Sequence, residues 1–102
     1  MKVKSDTLFE KFNVSGQELR VHWNIVEQVN EDEVIEYVAE EALCLALDSR
    51  EVIIEKIIAS KYSLSNELAT INNQLEKPEQ YTAYQEHRAL AKQLATEYVN
   101  TR

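Results

Sequence analysis

Residues 18–29 read ELRVHWNIVEQV, and the pattern in this stretch decides the fold. From Leu19 to Ile25, apolar or aromatic residues occupy every second position, and polar residues stand between them. Alternation of this kind, rich in β-branched and aromatic residues, predicts a half-buried strand over residues 18–29. Trp23 is then expected to point into the core together with Val21 and Ile25.

The next segment, residues 34–47, fits two interpretations. As a strand it places an apolar set on one face, interrupted by Glu41: Ile35, Tyr37, Ala39, Leu43, Leu45 and Leu47. As a helix it aligns a different apolar set: Val34, Val38, Ala42 and Leu45. The many Glu, Ala and Leu residues favour a helix, whereas the strand before it favours an antiparallel partner, because a lone strand leaves its backbone groups unsatisfied. The local pattern leaves both open, and the polar residues 30–33 indicate a loop between the two segments.

Beyond residue 47 the chain is predicted to be helical to its end. Asp48 can cap the first helix, with Glu51 reaching back as the second half of a capping box. Ser63 or Ser65 can cap a second helix, whose apolar positions are spaced by four, three and four residues: Leu64, Leu68, Ile71 and Leu75. A third helix should run over about residues 78–99, because proline suits the first helical position.

These elements predict an α+β fold. A β-hairpin or small antiparallel sheet in the N-terminal half is expected to be packed on its Trp23 face by about three α-helices from the C-terminal half. The length of 102 residues suits a single domain over residues 1–102, with residues 1–47 mainly β and residues 48–100 helical. Residues 1–17 can hold a short strand or a helical turn, and residues 15–17 read as a turn around the only glycine.

The net charge of −7 belongs to one region of the chain. Between Arg20 and Arg50 there are eight acidic residues and no Lys or Arg, so this region carries −8 and the remainder +1. Such a balance argues against nucleic-acid binding, which needs clustered basic residues. No apolar run approaches the roughly 20 residues of a membrane span, and the first residues lack the apolar stretch of a secretory signal. A cytoplasmic location is therefore expected.

The residue types that carry chemistry do not form a recognisable catalytic or metal-binding pattern. His22 and His87 lie on different predicted elements, and each is interpreted as a solvated side chain. Cys44 stands among apolar residues and is interpreted as a small buried hydrophobe, and its being the only cysteine fits a reducing compartment. No glycine-rich loop is present to hold a phosphate. The sequence therefore predicts a protein that is not an enzyme and has no cofactor and no metal site.

The acidic region offers one candidate site, a face for a protein partner. Its members are Glu31, Asp32, Glu33, Glu36, Tyr37, Glu40 and Glu41. A calcium loop would need a glycine at its sharp bend, and none is present here. The remaining interpretations are a solvated surface and a surface that attracts a basic partner. Exposed tyrosines would mark the interface of a homodimer, should the chain form one.

Several short strings combine into a resemblance. They are Trp23-Asn24-Ile25, Glu36-Tyr37 with Glu40-Glu41, residues 57–63 with residues 67–69, and residues 77–79 with Tyr81 and Tyr84. In this order they resemble a group of short bacteriophage and prophage proteins, often encoded among tail genes. The resemblance covers residues 20–95, and residues 60–69 are its most specific part.

The resemblance implies a second strand over residues 34–45, and so tips that segment toward a strand. It implies a non-enzymatic tail assembly protein or minor tail structural protein, located in the cytoplasm or in the virion. The expected partner is a phage structural or assembly protein, or a second copy of the chain. The alternative is an acidic adaptor or inhibitor that binds a basic surface on a host or phage DNA-handling protein.

Overall fold

A computed structural model describes all residues from 1 to 102. It contains four strands and three helices: β1 (Lys2–Ser5), β2 (Phe12–Ser15), β3 (Glu18–Val29), β4 (Ile35–Leu45), α1 (Arg50–Ala59), α2 (Leu64–Asn72) and α3 (Pro78–Thr101). The strands form one antiparallel sheet in the order β1-β4-β3-β2. The predicted α+β class is thus confirmed, with the sheet in the N-terminal half and the helices in the C-terminal half.

The chain divides into two compact units at residue 47. We call Met1–Leu47 the β unit and Asp48–Arg102 the helical unit. That the two make a single domain, with the helices on the Trp23 face, stays a prediction. No helix in either unit combines the length and the apolar character that crossing a membrane requires.

The ambiguous segment is a strand, because it supplies the antiparallel partner that β3 needs. β3 and β4 pair from Glu18 opposite Leu45 to Val29 opposite Ile35. Asn30 builds the turn between them, since its side-chain oxygen accepts hydrogen bonds from the backbone N–H groups of residues 32 and 34 at 2.9 and 3.1 Å. Pairing along the whole hairpin outweighs the helix propensity of Glu, Ala and Leu.

A β-bulge interrupts β3 immediately after Trp23. Trp23 lies opposite Glu40, but the next aligned pair is Val26 with Val38, so β3 carries one extra residue. Asn24 takes a positive φ of 52° there. Because one extra residue exchanges the two faces of a strand, Ile25 is 37% exposed while Trp23 is 5% exposed. The prediction that Ile25 points inward with Trp23 was wrong for this reason.

Apart from Ala39, the buried apolar residues of the hairpin lie on the Trp23 face. Leu19 and Val21 of β3 stand opposite Cys44 and Ala42 of β4, and all four are buried. The larger side chains of β4, such as Leu43, point to the opposite face and are about half exposed. Small residues on β4 thus meet large residues on β3.

The first two helices begin at serine caps. The Ser49 side chain accepts a hydrogen bond from the backbone N–H of residue 52 at 3.3 Å, so Ser49 caps α1. The predicted capping box of Asp48 and Glu51 was wrong, because the Asp48 carboxylate instead accepts from Lys56 Nζ at 2.5 Å. Ser63 caps α2 as predicted, at 3.2 Å from the N–H of residue 66.

The core of the helical unit comes from α1 and α3. Ile53 and Ile57 of α1 are fully buried, and α3 contributes a longer set: Tyr84, Ala91, Leu94, Ala95 and Tyr98. α2 contributes no buried residue. Leu64, Leu68 and Ile71 of α2 and the following Leu75 are between 38% and 95% exposed, and we call these four residues the α2 stripe. Leu75 lies in the turn after α2, so its predicted place on this helix was wrong.

Candidate functional site

The clearest buried polar cluster in the β unit joins His22 and Glu41. The two residues stand opposite each other on β3 and β4, on the face away from Trp23. His22 Nε2 lies 2.9 Å from Glu41 Oε2, and the two side chains are only 3% and 5% exposed. Arg20 Nη1 lies 3.7 Å from the same carboxylate oxygen. The prediction of a solvated His22 was wrong.

His22 is buried because the link between β1 and β2 passes over it. The Phe9 ring lies 4.7 Å from the imidazole ring, and the carbonyl of Glu10 is 2.7 Å from His22 Nδ1. The backbone N–H of His22 donates to the carbonyl of Lys11 at 2.8 Å. Alternation along β3 places His22 on a face that alone would be solvated, and residues 9–11 then cover that face.

Both ring nitrogens of His22 are committed to protein oxygens. A carbonyl oxygen only accepts, so Nδ1 carries a proton toward Glu10, and Nε2 forms a hydrogen bond with the Glu41 carboxyl. No ring nitrogen is left to take a proton from a substrate. The pair also borders an open pocket of about 460 Å³, in whose wall the hydroxyls of Ser5 and Thr7 hydrogen-bond to each other at 3.1 Å. This arrangement ties residues 9–11 to the sheet, and it lacks the nucleophile–base hydrogen bond of covalent catalysis.

The second histidine, His87, is also buried and hydrogen-bonded, within the helical unit. His87 is buried, and its Nε2 lies 3.1 Å from the carbonyl of Ile57 near the end of α1. The Tyr62 ring lies 5.6 Å from the His87 ring and 5.1 Å from the Tyr84 ring. The prediction of a solvated His87 was wrong as well, because the histidine is buried against this carbonyl, which also accepts from the Ser60 hydroxyl at 2.6 Å.

The Tyr84 hydroxyl links α3 to α2. It donates to Glu67 Oε2 at 2.9 Å. Burial, and then the hydrogen bond and charge of Glu67, raises the pKa of Tyr84 above its ordinary value of 10.0. α2 is therefore held against α3 by a polar contact.

The residues of the predicted interaction face do not lie on one surface of the protein. Glu31, Asp32 and Glu33 lie exposed in the turn between β3 and β4. Glu36 and Glu40 follow on β4, where they accept hydrogen bonds from Gln28 Nε2 at 2.7 Å and Asn24 Nδ2 at 3.1 Å. These five acids therefore occupy the turn and the adjoining part of the hairpin.

Tyr37 and Glu41 are placed apart from those acids. Successive residues of a strand point to opposite faces, so both project from the face of β4 opposite that of Glu36 and Glu40. Glu41 is bound to buried His22. The sequence did not indicate that Glu41 is buried against His22, because residues 9–11, which cover His22, are distant from Glu41 in the sequence.

The part of the hairpin beyond the bulge, residues 24–38, is called the distal hairpin below. All six residues of β3 within it are exposed, and three of them are apolar: Ile25, Val26 and Val29. Five acids belong to the distal hairpin, and it contains no basic residue: Glu27, Glu31, Asp32, Glu33 and Glu36. His, Cys, Asp and Glu side chains do not come together anywhere in the chain in a group of three that could hold a metal ion.

No protein-family model, curated protein or solved structure matched the chain. The resemblance to phage proteins therefore stays a prediction.

Proposed function

We propose that this chain is a non-enzymatic protein that acts by binding another protein, and that its partner is a bacteriophage tail or tail-assembly component. It would act in the cytoplasm during assembly or stay in the virion. The phage setting is supported only by the sequence resemblance. The binding role is supported by the geometry of the distal hairpin.

The exposure of the distal hairpin is the observation that carries the binding role. The β3 residues 24–29 are exposed on both faces, although Val26 and Val29 are apolar. A strand that buries neither face adds little to the stability of its own fold. Exposed apolar strand residues are usual at sites where proteins associate.

The test is capture of a partner from cells that produce phage. The tagged chain is recovered from an induced lysogen, and a variant with Val26→Thr and Val29→Thr serves as the matched control because threonine keeps β propensity. A virion or assembly component retained by the original chain and lost by the variant is expected. Failure to retain any such component would contradict the phage role.

An acidic adaptor or inhibitor is the second candidate function. Its support is the charge of the distal hairpin, which would attract a basic surface on a DNA-handling protein. Four exchanges to glutamine remove the charge, and the three at glutamate also keep the size of the side chain and an accepting oxygen: Glu31→Gln, Asp32→Gln, Glu36→Gln and Glu40→Gln. These should abolish binding to such a protein and leave tail incorporation intact, and unchanged affinity would contradict this function.

A second copy of the chain is the alternative partner, and the α2 stripe favours it. Spacings of four, three and four residues are those of a coiled-coil seam. Of the positions that flank this stripe on α2, Ser65 and Asn72 carry no charge, and the carboxylate of Glu67 accepts a hydrogen bond from the Tyr84 hydroxyl. Sedimentation equilibrium should then show a dimer that Leu68→Gln with Leu75→Gln converts to monomer, and a monomer in the original chain would contradict self-association.

A further inference from the structure

One long edge of the distal hairpin lacks a neighbouring strand. β2 pairs with β3 only from Glu18 to Val21, and the carbonyl of Lys11 extends this contact to the N–H of His22. The sheet order β1-β4-β3-β2 places no other strand on that side. From residue 24 to residue 29, the outer edge of β3 is therefore open.

The hydrogen-bond pattern identifies the backbone groups that face this open edge. The N–H of Asn30 donates to the carbonyl of Val34 at 3.0 Å, which makes these two residues a hydrogen-bonded pair. Such pairs alternate along an antiparallel ladder, so Gln28 and Val26 direct their backbone groups toward β4. Glu27 and Val29 direct theirs outward. Their N–H and C=O groups are a template for another strand.

The opposite edge of the same hairpin shows which kind of strand fits. There β1, with the sequence KVKS, pairs antiparallel with β4. Lys2 stands opposite Glu40 and Lys4 opposite Val38. Lys4 also borders a pocket with Glu31, Asp32 and Glu36. The chain thus already contains one basic, alternating strand added to this acidic hairpin.

Charge argues against a second copy at the open edge. The distal hairpin contains five acids and no basic residue. Two copies joined along β3 would bring Glu27 of each close to acids of the other, and like charges across strands are destabilising. A strand that carries lysine or arginine removes this repulsion.

We propose that the open edge of β3, residues 24–29, binds an extended segment of a partner protein in which basic and apolar residues alternate. The segment adds to the sheet by backbone hydrogen bonds to Glu27 and Val29, with basic side chains near Glu27 and apolar ones near Val26 and Val29. This inference rests on the proposed binding function and specifies its site and the chemistry of the partner.

The first experiment measures binding of a labelled heptapeptide of alternating Lys and Val by fluorescence anisotropy. The full chain is compared with Val29→Pro and Val29→Ala. Proline removes the outward N–H of residue 29 and leaves every charge in place, whereas alanine keeps the N–H. We expect Val29→Pro to weaken binding about tenfold and Val29→Ala to change it by less than about threefold. A heptapeptide of alternating Glu and Val should not bind.

The second experiment locates the added strand by amide hydrogen exchange with the peptide present. The amides of Glu27 and Val29 should become protected, because they gain acceptors on the peptide. The amides of Val26 and Gln28 already bond to β4 and should change little. In Val29→Pro without peptide, unchanged exchange at Val26 and Gln28 shows that the hairpin is still formed.

Each contrary result overturns the proposal. Absence of binding, equal binding of the acidic peptide, or full binding by Val29→Pro each excludes an added basic strand at this edge. Protection of Glu27 and Val29 by self-association at higher protein concentration assigns the edge to a second copy instead. If the Val29→Pro variant still captures a phage component, the proposed function stands. Only the assignment of the binding site to the open edge of β3 then fails.

Discussion

The β unit and the helical unit differ in net charge and in the kind of exposed apolar surface that each presents. The β unit holds ten acidic residues against four basic ones, a net charge of −6, whereas the helical unit holds eight against seven, a net charge of −1. The β unit exposes an acidic strand edge, and the helical unit exposes the α2 stripe. The two proposals follow this difference, because a partner of opposite charge is proposed for the β unit and a second copy of the chain for the helical unit.

The largest expected effect is the loss of Trp23 from the β unit. Trp23→Ala should lower the free energy of unfolding by about 3–5 kcal/mol, because a large, 5% exposed side chain leaves a cavity. Ile25→Ala, two residues away but beyond the bulge, should cost less than about 1 kcal/mol. Urea denaturation of both variants measures the difference, and equal effects would contradict the exchange of faces at the bulge.

The next effect concerns the His22–Glu41 pair. Glu41→Ala should lower the free energy of unfolding by about 3 kcal/mol, because it leaves the buried Nε2 of His22 without an acceptor. Glu40→Ala is the matched control, because this neighbouring side chain is partly exposed, and it should cost less than about 1 kcal/mol. Urea denaturation measures both values. The Glu41 variant should also speed amide exchange in residues 9–11, and unchanged exchange there would contradict the role of the pair in holding this segment.

A smaller effect is expected in the helical unit at Tyr84. Tyr84→Phe should cost about 1–1.5 kcal/mol through the lost hydrogen bond to Glu67. The pKa of Tyr84 is raised in the folded protein, so the unfolded chain loses the proton first as the pH rises above 10.0. Stability should therefore decline above that pH, and less in the phenylalanine variant. Denaturation between neutral and alkaline pH measures this, and identical pH profiles would contradict the raised pKa.

The smallest effect is expected on the α2 stripe. Leu68→Gln should change the free energy of unfolding by less than about 0.5 kcal/mol, because the side chain is 53% exposed. Ile57→Ala in buried α1 is the contrasting variant and should cost about 2–5 kcal/mol. Thermal unfolding at low protein concentration separates the two. A large loss for Leu68→Gln would mean that the stripe is buried by association even when dilute.

Local patterns in the sequence predict much of this fold, because the residues that decide each element are neighbours. Alternation along residues 18–29 predicts β3, and residue 63 and Pro78 mark the starts of α2 and α3. The segment now assigned to β4 was ambiguous for a physical reason. Its own residues favour a helix, and only pairing with β3 decides for a strand.

The candidate site was predicted less well than the fold. Acidic residues 31–33 lie exposed at the hairpin turn, where a polar loop was predicted. Glu41 was grouped with them because it is close in sequence, although the strand turns it toward His22. The bulge after Trp23 also left no clear signal, because an extra residue in a strand is recognised only against the register of its partner.

Residue types and their spacing fix the order of strand and helix patterns, the placement of negative charge between residues 20 and 50, and the spacing of the α2 stripe. These are properties of residues close together along the chain. Only the tertiary structure decided that His22 and Glu41 are buried together, that Ile25 faces outward, and that the edge of β3 at Glu27 and Val29 is open. These properties depend on pairing and covering by distant segments, which residue type and local spacing do not encode.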